Sequence, residues 1–76
     1  MNKCQQLYLC TIQDQNGVME REAFATHELG NKWVADWVRA YYPGIPGTDL
    51  EVIHDYFYSG EGKEDLITEW VNFHIS

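Results

Sequence analysis

Cations are scarce in this sequence of 76 residues, which has five lysine and arginine residues against twelve aspartate and glutamate residues and a formal net charge of −7. Contact with phosphates depends on lysine and arginine, so direct binding to nucleic acid is not expected. The excess of negative charge is concentrated in residues 43–76, which contain seven acidic residues and one basic residue, Lys63, and so have a net charge of −6. Such an acidic half favours an encounter with a basic surface on a partner. The alternative is that the charge only keeps a small domain soluble.

Cysteine is also rare, with only Cys4 and Cys10 in the chain. If both lie on one extended strand, their Cα atoms are about 20 Å apart, whereas a disulfide requires about 7 Å or less. Unless the N-terminus curls back, the two cannot pair, and we interpret them as reduced thiols of an intracellular protein. The chain shows no leader peptide and no apolar run of the length of a membrane helix. We therefore predict a cytoplasmic protein that neither is secreted nor enters a membrane.

Motifs for catalysis or metal binding are missing as well. The three histidines, His27, His54 and His74, have no second ligand at the spacing of a metal site. Ser59 lacks the G-x-S-x-G frame of a nucleophilic serine. Residues 60–62 do not form a phosphate-binding loop, because no second glycine at the required spacing precedes a helix and the neighbouring residues are acidic. We predict no catalytic residue, no cofactor and no metal. An enzyme or cofactor carrier is the least favoured class.

The first half of the chain has clear signals for a hairpin and a helix. An alternating apolar segment after Lys3 predicts a strand that ends at Asn16-Gly17, the strongest short hairpin signal, and residues 18–25 form the returning strand. Thr26 is a good N-cap. A helix over residues 27–42 is predicted by one apolar stripe, which consists of Leu29, Trp33, Val34, Trp37, Val38 and Tyr41.

The second half predicts two more strands. Residues 50–58 alternate between two sets of side chains, which is typical of a strand. Residues 66–75 fit either a helix face or a strand, and their β-branched and aromatic content favours a strand paired with the preceding one. The predicted fold class is α+β: a four-stranded, mainly antiparallel sheet of order β-β-α-β-β with one helix on one face. It forms a single domain over residues 1–76.

This arrangement leaves one sheet face uncovered. A single helix can cover only one face of a sheet, yet the predicted strands carry large apolar groups on both. We expect the second face to bind a partner or a second copy. The residues that suggest it are Tyr8, Ile12, Tyr56, Tyr58 and Trp70.

The layout also resembles a class of known proteins. The stretch from Phe24-Ala25-Thr26 to Tyr41-Tyr42-Pro43, with a strand hairpin before it and a further strand after it, is similar to small acidic phage-encoded proteins that disable host machinery, such as the short phage inhibitor of bacterial RNA polymerase and anti-CRISPR proteins. The resemblance implies an inhibitor that acts in the host cell cytoplasm. It would block a CRISPR effector or another nucleic-acid-handling complex by steric or electrostatic occlusion. It assigns no binding residue.

Two functional classes follow. The favoured one is a non-enzymatic protein-binding module whose partner is a host protein or complex with a basic surface. The alternative is a self-assembling structural or accessory protein, for example a homodimer through the second sheet face. The candidate partner-binding residues are the acidic and aromatic side chains of the second half: Asp49, Glu51, Asp55, Tyr56, Tyr58, Glu61, Glu64, Asp65, Glu69 and Trp70.

Overall fold

The computed structural model of the chain describes residues 3–59 and 62–75. Along the chain these residues form strand β1 (Lys3–Asp14), strand β2 (Gly17–Phe24), helix α1 (His27–Tyr41), helix α2 (Asp49–Ile53) with a π-helical continuation (His54–Tyr58), and strand β3 (Asp65–Ile75). The predicted α+β class is confirmed. The described residues form a three-stranded antiparallel sheet of order β2-β1-β3, not the four-stranded sheet predicted.

The predicted hairpin joins β1 to β2. The backbone N–H of Asn16 donates to Oδ1 of Asp14 at 2.7 Å, and Gly17 adopts a φ of 127°, which glycine tolerates without strain. The register places Tyr8 opposite Phe24 and Asp14 opposite Gly17, with a bulge beside Gln13. The short-range signal at Asn-Gly therefore predicted both the turn and the strands that it joins.

Helix α1 begins where its cap predicts. Oγ1 of Thr26 accepts a hydrogen bond from the N–H of Leu29 at 3.2 Å. Val34, Trp37 and Val38 are buried as predicted, whereas Trp33 is only partly buried, packed with its ring centroid 5.7 Å from that of Phe24. The helix ends at Tyr41, just before Pro43. The apolar stripe thus predicted the helix and most of its buried face.

The prediction of a strand over residues 50–58 is wrong, because these residues are helical. Thr48 and Glu51 form a capping box, in which Oγ1 of Thr48 accepts from the N–H of Glu51 at 3.3 Å and Oε1 of Glu51 accepts from the N–H of Thr48 at 3.1 Å. The buried side chains Val52, Ile53 and Tyr56 lie at a helical spacing. Leu50 and Tyr58, which alternation placed with Val52, are 65% and 61% exposed.

Strand β3 confirms the strand interpretation of residues 66–75 and corrects its pairing. It pairs with β1, so that Tyr8 lies opposite Trp70 and Leu9 opposite Glu69. The predicted partner, residues 50–58, packs in the helical layer instead. Strand β1 is therefore the central strand of the sheet, and β2 and β3 are its two edges.

Both helices lie on one face of the sheet. Gly30 of α1 comes so close to β1 that a Cβ atom there would lie 2.7 Å from Cδ2 of Tyr8 and 2.9 Å from Sγ of Cys10. Cys10 and Ile12 are fully buried on this face and share a core with residues of both helices. The buried core consists of Cys10, Ile12, Val34, Ala35, Trp37, Val38, Val52, Ile53 and Tyr56.

Candidate functional site

The sheet face opposite the helices has an apolar centre. Side chains alternate along a strand, so the odd residues of β1 point away from the core that holds Cys10 and Ile12. The matching residues of β3 lie on the same side, because the register pairs Leu7 with Val71, Thr11 with Ile67 and Gln5 with Phe73. We term this surface the open face and define its apolar centre as Leu7, Leu9, Ile67, Val71 and Phe73.

The apolar centre of the open face is accessible. Ile67 and Phe73 are each 43% exposed, and Leu7, Leu9 and Val71 are partly exposed. Neither helix packs on this side, and within residues 3–59 and 62–75 no other element does so. Contiguous apolar surface on one side of a small domain is the usual mark of an interaction site.

Polar residues border this apolar centre. The Nε of Arg21 donates to Oγ1 of Thr11 at 3.2 Å, which holds the arginine side chain along the β2 side of the face. On β3, Asp65 lies at the end of the face opposite Gln13, and Glu69 lies between Ile67 and Val71, opposite Leu9. An apolar centre with a charged margin is the general composition of a protein interface.

Part of the open face lies on a two-stranded ribbon. Strand β2 ends at Phe24, opposite Tyr8, so among the described residues β1 before Tyr8 pairs with β3 alone. Leu7, Val71 and Phe73 belong to this ribbon. The ribbon contributes to an elongated shape of 48 × 28 × 18 Å. Two strands alone are marginally stable in water, so contact with another molecule would stabilise this part of the sheet.

A separate, concave surface lies in the helical layer. A pocket of about 550 Å³, here the tyrosine pocket, is lined by residues from the end of α1, the following loop and the π-helical segment: Tyr41, Tyr42, Pro43, Ile45, Asp55 and Tyr56. Tyr41 is 62% exposed. The rings of Tyr42 and Tyr56 lie side by side, with centroids 4.6 Å apart.

The Glu64 carboxylate holds two of these tyrosines. The hydroxyl of Tyr56 donates to Oε1 of Glu64, and the hydroxyl of Tyr42 donates to Oε2 at 3.4 Å. Burial, and after it the hydrogen bond to Glu64, raises the pKa of Tyr56 far above its usual range. The phenol therefore stays neutral and remains a donor to the carboxylate.

Three of the predicted acidic site residues make contacts inside the molecule. Oδ1 of Asp49 accepts from Nη1 of Arg39 at 2.8 Å, which ties the start of α2 to α1. Glu51 forms the capping box, and hydrogen bonds from the backbone and side chain of Thr48 lower its pKa. Glu64 binds the two tyrosines described above. These carboxylates stabilise the fold of the second half, and the structure does not gather them into one acidic surface.

The other predicted site residues are spread over several surfaces. Asp55 and Tyr56 line the tyrosine pocket, and Asp65 and Glu69 border the open face. Tyr58 is exposed beside His54 at the end of the π-helical segment. Trp70 lies on the helix side of β3, where its ring contacts Tyr8 at a centroid distance of 5.0 Å. Glu61 lies outside the described residues.

The residues expected to form the second face are mostly elsewhere. Ile12 and Tyr56 are buried in the core, and Tyr8 and Trp70 lie on the helix side of the sheet. The apolar centre of the open face went unrecognised as a candidate site. Its signal in the sequence is the spacing of Leu7 and Leu9, which alternate with Tyr8 and Cys10. Tyr41 and Tyr42 were missed because the helix stripe and its stop signal explained them without a pocket.

The remaining features give little support for chemistry. The Cys10 thiol is buried, and this burial raises its pKa to about 11, which is the opposite of an activated nucleophile. In the part of the chain that the structure describes, no three His, Cys, Asp or Glu side chains are grouped to hold a metal ion. Among the same residues, no helix has the length and apolar character needed to span a membrane.

No protein-family model, curated protein sequence or solved structure matches the chain.

Proposed function

We propose that this protein is a non-enzymatic binding module that docks through its open face onto a protein with a basic surface. The observation that carries the proposal is the apolar centre of the open face, which is exposed on the side of the sheet opposite the core shared with the helices. Burying such surface against a partner is the main favourable term in protein association.

Charge decides between a basic partner and a second copy. The chain carries a formal charge of −7, and Asp65 and Glu69 border the open face. Two copies, each with a formal charge of −7, would repel each other overall, whereas lysine and arginine around an apolar patch of a partner would complement Asp65 and Glu69. The expected partner surface therefore has an apolar centre with basic residues around it.

The proposed role of this binding is inhibition by occlusion. Proteins bind nucleic acids through basic surfaces. A small acidic domain bound to such a surface would therefore exclude the nucleic acid from it. The carboxylates of Asp65 and Glu69 on the open face and the formal net charge of −7 support this role. It matches the class of phage-encoded inhibitors that the layout resembles, with a nucleic-acid-handling complex as the target and the host cytoplasm as its place of action.

Capture of the tagged protein with matched variants tests the proposal. In an Ile67→Thr/Phe73→Thr variant the strand keeps β-forming residues but loses most of the exposed apolar surface of the open face. In the control, Leu50→Gln/Tyr58→Gln, two large apolar side chains that are still more exposed are changed on the helical layer. We expect a stoichiometric basic protein from a lysate of the source cells to bind the native chain and the control but not the open-face variant. Equal capture by all three would contradict the proposal.

Self-assembly is the second candidate function, favoured by the ribbon of β1 and β3 and by the eleven-residue edge strand β3, which has no proline. Sedimentation at micromolar concentration separates the two. The proposed function predicts a monomer. A dimer that the Ile67→Thr/Phe73→Thr variant abolishes would replace the basic partner with a second copy of the chain.

A further inference from the structure

We propose that the tyrosine pocket binds a guanidinium group, presented by an arginine side chain of a protein ligand. The pocket lies on the helical layer, whereas the open face is on the opposite side of the sheet. This proposal therefore does not depend on the proposed function of the open face.

The aromatic walls of the pocket are supported by contacts within the domain. Tyr42 and Tyr56 share the carboxylate of Glu64, and their ring centroids are 4.6 Å apart. Tyr41 is held from the other side by Trp37, with centroids 4.9 Å apart. Rings that are already ordered lose little conformational entropy when a ligand stacks on them.

The hydrogen bonds from two tyrosine hydroxyls to one carboxylate also favour the binding of a cation. The face of an aromatic ring carries partial negative charge, which attracts cations. Hydrogen-bond donation by the hydroxyl to an anion increases the electron density of the ring and strengthens this attraction. Tyr42 and Tyr56 both donate to Glu64 in this way.

The charge of the lining completes the match. Asp55 is the charged residue of the lining, and no lysine or arginine is among the residues that line the pocket in the described part of the chain. A guanidinium group is flat, weakly hydrated and able to stack on a ring while it donates hydrogen bonds to a carboxylate. An ammonium group is more strongly hydrated and has no flat face, so arginine fits this lining better than lysine.

Titration with blocked amino acids tests the site without knowledge of the protein ligand. The probes are N-acetyl-arginine amide, its neutral isostere N-acetyl-citrulline amide, and N-acetyl-lysine amide, each followed by NMR of the tyrosine ring signals. We expect saturable shifts of the Tyr41, Tyr42 and Tyr56 signals with the arginine probe, at a dissociation constant on the order of millimolar. The lysine probe should bind more weakly, and the citrulline probe should cause no saturable shift. Equal shifts with citrulline, or none with arginine, would overturn the proposal.

Two charge-matched variants separate the pocket from the general acidity of the chain. Asp55→Asn removes the carboxylate of the lining, and Glu28→Gln removes the same charge in the first turn of α1, at the other end of that helix from the pocket. We expect the first to weaken arginine binding roughly fivefold or more and the second to leave it within about twofold. Equal weakening by both would reduce the effect to net charge and contradict a specific site.

Discussion

At the scale of single residues, the six acidic side chains that the structure describes in the second half divide into two groups. Asp49, Glu51 and Glu64 each accept hydrogen bonds from side chains or backbone of the same domain. Asp55, Asp65 and Glu69 lie on the tyrosine pocket or the open face. Only the second group is available to a partner without loss of a contact that holds the fold. Charge-removal experiments on this protein therefore need to keep the two groups apart.

Cys10 makes the stability of the fold sensitive to alkaline pH. Burial raises the pKa of its thiol from 9.0 to about 11. Between these values the thiol of the unfolded chain has lost its proton while that of the folded chain keeps it, so rising pH favours unfolding. The contribution is fully present below pH 9.0 and is lost as the pH rises through about 11.

We therefore expect the free energy of unfolding to fall between pH 9 and 11, and to fall less steeply in a Cys10→Ala variant. The raised pKa of Tyr56 acts in the same direction and remains in that variant, so a residual slope is expected. Urea denaturation at a series of pH values measures both slopes. Identical slopes for the native chain and the variant would show that the Cys10 thiol is not protected by the fold.

At the scale of elements, the packing of α1 on β1 depends on the missing side chain of Gly30. Alanine is the better helix former, so in an exposed position Gly→Ala gains about 1 kcal/mol. Here the added Cβ would lie 2.7 Å from Tyr8 and 2.9 Å from Cys10 Sγ, so the helix would have to move away from the sheet. Overpacking of this kind costs about 1–3 kcal/mol.

We expect Gly30→Ala to lower the free energy of unfolding, against the propensity of alanine. Asn31→Ala, at the next position of the same helix, serves as the control because it gains helix propensity and removes side-chain atoms instead of adding a Cβ atom beside β1. Thermal or urea denaturation gives both values. A Gly30→Ala variant that is as stable as the control would mean that α1 does not sit this close to the sheet.

The sequence predicted those elements whose signals are local. Asn16-Gly17 predicted the hairpin, and Thr26 with the apolar stripe predicted α1. Apolar periodicity alone leaves residues 50–58 ambiguous, because Val52, Ile53 and Tyr56 satisfy a helix while Val52, His54 and Tyr56 satisfy a strand. The spacing of Thr48 and Glu51 is the capping-box signal that favours the helix, and the strand prediction overlooked it. The partner of β3 could not be assigned either, since the pairing of β1 with β3 joins residues far apart in the chain.

The candidate site was less predictable than the fold for the same reason. Which strand face is free depends on where the helices pack, and the burial of Cys10 and Ile12 together with the contact of Gly30 with Tyr8 and Cys10 shows that the odd residues of β1 lie on the side away from the helices. A composition argument favoured the large aromatic residues. Of these residues, Tyr56 is buried in the core and Tyr8 packs against it, whereas Tyr58 and Trp70 are exposed but lie outside the open face.

At the scale of the whole molecule, the two faces are suited to different contacts. The sheet presents an apolar surface with a charged margin, and the helical layer presents an aromatic pocket that contains a carboxylate. Both suit a partner rich in arginine or lysine. A domain of this shape can occlude a basic surface with its open face while the tyrosine pocket remains accessible to a second segment.

The most direct measurement of the central claim is the dissociation rate of the complex with the captured partner, made with the purified proteins. Truncation of exposed apolar residues at the centre of an interface mainly raises the dissociation rate. We expect Ile67→Thr/Phe73→Thr to raise it about tenfold or more, and Leu50→Gln/Tyr58→Gln to leave it within about twofold, with unchanged melting temperatures. An unchanged dissociation rate in the open-face variant, or an equal rise in both, would contradict binding through the open face.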